Sequence, residues 1–190
     1  YDTPVDSDVN NVYEVAVTVT DHAGLSMSKT FTLTITNNAL DDGVKLQAKV
    51  LLQGTYNNNT ARMNDTLRSK DLLPMAQPYG IAPFNYSGTE TLNPTLKTAT
   101  DNKAVVDWIL VDLRTSANTL VATRAVMLQR DGTLVDAHTG ANTVHFASIP
   151  TGNYYVSVRH RNHLGVMTAS PISLSATAKV VDFTSTTTPL

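Results

Sequence analysis

The densest set of side chains able to do chemistry is Arg159-His160-Arg161-Asn162-His163. Two imidazoles three residues apart offer metal ligation or proton transfer near neutral pH. The guanidiniums beside them offer forked hydrogen bonds to carboxylates, phosphates or sugar hydroxyls. Zinc needs three or four converging ligands, and with only Asp136 or His138 as distant additions the spacing predicts no such site. Two readings remain open for this cluster. It locks a strand end and the following loop through hydrogen bonds, or it meets a ligand through Arg159, Arg161 and His163. Tyr56, Tyr79, Tyr86 and Tyr155 are candidate exposed rings for stacking on sugars, whereas Trp108 sits in an apolar run and is expected in the core.

Catalytic patterns are missing from the sequence. There is no Gly-x-Ser-x-Gly elbow, no glycine-rich phosphate loop and no His-Glu-x-x-His pair. With no cysteine, neither disulfides nor thiolate metal sites hold this chain. Charged residues are 16% and the net charge is -2, so nothing makes an electrostatic footprint for nucleic acid or an anionic membrane. The apolar share of 42% is enough for a core, yet no apolar run approaches the roughly 18 residues of a spanning helix. No signal peptide is recognisable, and the opening Tyr1-Asp2-Thr3-Pro4 and the Thr-rich end read as those of a piece of a longer polypeptide.

The elements that must position these groups are strands. Tyr13, Val15, Val17 and Val19 alternate with polar residues, and after a turn at Asp21–Gly24 so do Phe31, Leu33 and Ile35, which predicts a hairpin over 12–37. Its one apolar face needs a second sheet to cover it. After a linker at 41–43, Val44, Leu46, Ala48 and Val50 open a second domain on a half-buried strand. Met63–Leu73 predicts one or two helical turns that start near Asn64 or Asp65 and stop at Pro74. Residues 74–102 show little periodicity, and so long a loop in a compact domain is expected to bind something. Ala104–Arg114 is apolar on both faces and reads as a central strand, paired with Leu120–Gln129 ahead of an Asp131-Gly132 turn. Pro150-Thr151-Gly152 supplies turn chemistry before a strand with Tyr154, Val156, Val158 and His160 on one face and Tyr155, Ser157 and Arg159 on the other. Eight or nine such strands predict an all-β sandwich over 44–184, followed by a Thr-rich stretch at 185–190.

Two resemblances refine this. Asp6–Asp21, with Tyr13 opening an alternating strand that ends in Asp21, resembles the closing half of a bacterial cadherin-like, Ig-like repeat, and covers residues 1–40. Loops of that family bind calcium, because hard cations take clustered carboxylate and carbonyl oxygens. The resemblance implies calcium at Asp6, Asp8, Asn10 and Asp21, although the family's glycine and one of its carboxylates are lost here. The other reading is an Asx-turn loop bonded to its own backbone. Leu46–Gln53, Met63–Arg68, Val106–Trp108, Leu128–Gly132 and the Arg-His-Arg-Asn-His-Leu-Gly run ending at Gly165 resemble a module of large secreted surface proteins of Bacteroidetes. That resemblance implies type IX export, an extracellular or cell-surface location, and a non-enzymatic structural or adhesive role. The expected partners are other domains of the same chain and cell-surface or secretion-machinery proteins. The alternative is a carbohydrate-binding module attached to a polysaccharide-degrading enzyme, with polysaccharide as its ligand.

Overall fold

The computed structural model describes residues 11–36 and 43–185. The expected calcium ligands Asp6, Asp8 and Asn10 lie outside the described residues, as do residues 41–42 of the linker and 186–190. The chain divides into two compact units, Tyr1–Ala39 and Leu40–Leu190, and both are built of strands.

In the first unit, β1 (Val12–Thr20) and β2 (Ser26–Thr34) form an antiparallel hairpin in which Tyr13 opposes Leu33, Val15 opposes Phe31 and Val19 opposes Met27. Asp21 closes the turn: its Oδ1 accepts the Leu25 amide at 2.9 Å, and Gly24 takes a φ of +85° that suits glycine. The apolar stripe stays open, with Phe31 50% and Val19 68% exposed.

The second unit contains β3 (Val44–Lys49), β4 (Tyr56–Asn57), β5 (Arg62–Met63), a short helix α1 (Thr66–Ser69), a 3-10 turn at Pro94–Thr98, β6 (Val105–Ser116) and β7 (Thr119–Gln129). There follow β8 (Leu134–Val135), β9 (Val144–Phe146), β10 (Gly152–His160), β11 (His163–Met167), β12 (Ile172–Leu174) and β13 (Lys179–Asp182). The two strands beyond the expected nine are β4 and β5, which at two residues each are too short to carry a period. Helix α1 has Asp65 at its N-cap, near the expected start, but it ends at Ser69, short of the expected stop at Pro74.

One sheet runs β11-β10-β6-β7-β8, with β12 also on β10; the other runs β13-β3-β9, with β13 parallel to β3. Between them lies the main core. Val44, Leu46 and Ala48 of β3 meet Ile109, Val111 and Leu113 of β6, Val126 and Leu128 of β7, and Val156 and Val158 of β10. This is the predicted sandwich. No helix among the described residues is long and apolar enough to cross a membrane.

The expected binding loop is where sequence and structure part. Residues 74–102 do not form an exposed platform of rings; they lie over the second face of β6 and β7. Tyr79, Leu92 and Leu73 are buried there against Trp108, Leu110, Ala125 and Met127, with Phe84, Tyr86 and Leu96 packed at the margin. A sheet that is apolar on both faces must be covered on both, and this irregular segment is the second cover. Trp108 is anchored to it through an Nε1–H bond to the Pro74 carbonyl at 2.8 Å. Past β8, which pairs with β7 only through Met127 and Leu128, the same segment caps the strand. Tyr86 reaches the Thr123 carbonyl and the Glu90 carboxylate takes the Ala125 amide, each at 3.3 Å.

Candidate functional site

The alternation of β10 splits the functional-looking side chains between two faces of one sheet. Arg159 lies opposite Leu110 of β6 and Val158 opposite Val111. His160 therefore turns inward at the end of the main core, while Ser157 and Arg159 turn outward under the 74–102 segment.

On the inner face His160 meets Asp107, both nearly inaccessible to solvent. Asp107 Oδ1 accepts the Trp108 amide at 2.8 Å; its Oδ2 accepts His160 Nε2 at 3.1 Å and Arg161 Nη2 at 2.8 Å. From His160 the chain of bonds continues outward, with Nδ1 of His160 2.9 Å from Nδ1 of His163. Two backbone amides, which can only donate, fix the proton positions. The Asn162 amide donates to His160 Nδ1 at 3.2 Å, and the Gly54 amide donates to His163 Nε2 at 3.3 Å. His160 thus carries its hydrogen on Nε2 and gives it to Asp107, and His163 carries its own on Nδ1 and gives it to His160. All four ring nitrogens are occupied. Burial and the neighbouring His160 hold the His163 imidazole below its ordinary pKa, against the pull of Asp107. Gly54 permits the approach: a Cβ there would stand 3.3 Å from His163 Nε2.

On the outer face the hub is Asp112, which is wholly buried. Arg159 forks it, Nε to Oδ2 at 2.7 Å and Nη2 to Oδ1 at 2.9 Å. Arg114 Nη2, the Ser157 hydroxyl and the Thr123 hydroxyl donate to it as well, at 3.0, 3.1 and 2.8 Å. Burial alone would raise the Asp112 pKa, but the Arg159 fork, the Thr123 hydroxyl and Arg114 together bring it below the ordinary value. The Arg159 guanidinium also lies 5.5 Å from the centre of the Phe84 ring, a cation–π distance.

In these arrangements the polar side chains bond mainly to one another. Ser157 gives its proton to Asp112, and the nearest imidazole, His160, lies on the opposite face of β10, so the two do not form a nucleophile and base. Tyr79, expected as an exposed ring, is fully buried; its hydroxyl donates to the Trp108 carbonyl at 2.6 Å and its ring meets Phe84 edge-on at 4.9 Å. Tyr86 is half-buried and bonded to Glu90. Tyr155 is half-buried on the outer side of β10. Arg159, Arg161 and His163 do come together around one strand end, but each is already bonded to Asp112, Asp107 or Gly54. Asp21, the described member of the expected calcium set, has Oδ1 in its own turn. Among the described residues no group of three or more His, Cys, Asp or Glu side chains converges to hold a metal.

Sequence reasoning missed Asp107 and Asp112, which sit inside a run read as apolar on both faces. A signal was present: two carboxylates in a central strand must be neutralised, and Arg114, Arg159 and Arg161 are close by in the expected sheet. A separate open recess of about 420 Å³ lies between Arg124, Asp136, His138, Thr139, Thr143 and His145. In its wall Arg124 Nη2 pairs with Asp136 at 2.8 Å. No protein-family model matches the chain, and no curated protein or solved structure matches it either.

Proposed function

We propose that this chain is a non-enzymatic structural or adhesive module of a large bacterial surface or secreted protein, working outside the cell. One observation carries the reading. The side chains fit for chemistry, His160, His163, Arg159, Arg161, Asp107 and Asp112, bond one another and the backbone, with Arg161 Nη1 alone among them buried without a partner. Such a cluster holds strands in register; it does not wait for a substrate. Type IX export, calcium at Asp6, Asp8, Asn10 and Asp21, and partners among neighbouring domains or the cell's surface and secretion proteins belong to the same proposal.

The burial of Tyr79 and the half-burial of Tyr86 weigh against a stacking platform for sugar. What favours the carbohydrate-binding reading is the recess beside Arg124 and Asp136, whose hydroxyls, imidazoles and guanidinium are of the kind that bind sugar hydroxyls. The test is retention of the full chain on a panel of soluble and insoluble polysaccharides, with calcium and with chelator. The module reading expects none. Specific retention lost on Arg124→Ala or His138→Ala would replace it with the carbohydrate reading.

A further inference from the structure

The four occupied ring nitrogens have a consequence of their own. The turn between β10 and β11 is tied to the Val50–Gly54 segment by the Gly54 amide bond to His163 Nε2. Beside that tie lies a recess of about 240 Å³ whose lining includes Val50, Leu52, Gln53, Val158, His163 and Val166. Val50, Leu52 and Val158 belong to the main core, so the recess lies at the edge of that core, beside the strap that His163 makes to Gly54.

We propose that this strap is an acid-released latch: a proton on the His160–His163 pair detaches His163 from Gly54 and opens the recess. Protonated imidazole has two donors and no acceptor. A proton on His163 Nε2 confronts the Gly54 N–H, and a proton on His160 Nδ1 confronts both the Asn162 N–H and the His163 Nδ1–H. Neither can be accommodated without breaking a bond.

The surrounding charges select where the break falls. From β6 comes Asp107, which favours a proton on His163; from the strand end comes Arg161, whose positive charge shares Asp107. Arg161 Nη1 is buried with no partner, so its charge is poorly dispersed. The Val50–Gly54 segment and Leu164–Val166 contribute no titratable side chain. His163 is the outer and better solvated ring, and its depressed pKa keeps it neutral until pH falls below the usual histidine range. The sign follows. The unfolded chain takes up this proton near pH 6.5, before the folded one does, so the latch contributes stability above that value and loses it as pH falls.

The test is NMR on the full chain. Long-range nitrogen–carbon-proton correlations at neutral pH should report the Nε2–H tautomer for His160 and the Nδ1–H tautomer for His163. As His163 titrates, the exchange protection of the Gly54 amide, corrected for intrinsic rate, should fall roughly fivefold, the worth of one net hydrogen bond. In His163→Ala it should be low at every pH. An Nε2–H tautomer on His163, or Gly54 protection that stays level while His163 titrates, would overturn the latch. The tautomer reading needs no variant, so it stands even if His163→Ala folds poorly.

Discussion

Arg159 and Asp112 face each other across β10 and β6 as a fork on a carboxylate, both oxygens taken, at 2.7 and 2.9 Å. Replacing Asp112 with Ala leaves Arg159 and Arg114 facing a buried, uncompensated gap. The expected loss is about 3–5 kcal/mol, read by urea denaturation. Arg159→Lys keeps the charge but loses the fork, so its loss should be smaller and still measurable.

Acid should act through the same carboxylate. Asp112 is held below the ordinary carboxylate value of about 3.9. Its contribution is therefore complete above that value and disappears as pH falls through the lower folded-state pKa. A thermal melt series at acid pH should show a steep decline in the wild type and a shallower one in Asp112→Asn.

The buried ring of Tyr79 makes a third prediction. Tyr79→Phe removes the donor to the Trp108 carbonyl and should cost about 1 kcal/mol; Tyr79→Ala should cost about 3–5 kcal/mol. Little stability loss from either would mean the ring serves something other than the core. Burial also pushes the Tyr79 and Tyr86 phenols well above their ordinary pKa. In an alkaline absorbance titration these two should ionise only as the fold opens.

Tyr86 and Glu90 cap the part of β7 that β8 leaves unpaired. An uncapped strand edge recruits other strands. The double variant Tyr86→Ala with Glu90→Ala should raise the average mass in sedimentation equilibrium as concentration increases, relative to wild type. An unchanged mass would show that the edge is closed by other means.

The longer strands were legible because they carry period two or a continuous apolar run, and the core positions of β3, β6 and β10 follow from that pattern. The 74–102 segment was not legible. Irregular backbone has no period, so nothing local distinguishes a loop that reaches into solvent from one pressed onto a sheet. The clue was indirect: Val105, Trp108 and Leu110 make β6 apolar on its second face, and that face needed a cover. The His160–His163 pair was visible as a cluster, but its saturation depended on Asp107 and on Gly54, more than fifty and more than a hundred residues away. Spacing along a chain does not report contacts of that range.

On the proposed reading the functional-looking cluster holds the fold. Groups kept for a ligand tend to cost stability, so removing them is neutral or stabilising; groups that lock a fold do the reverse. Equilibrium urea unfolding of Asp107→Ala in the full chain separates the two. A loss of about 3–5 kcal/mol, or failure to fold, is what the structural reading predicts, because His160 and Arg161 lose their shared partner. Stability equal to or above that of the wild type would contradict it, and the cluster would then have to be read as a site.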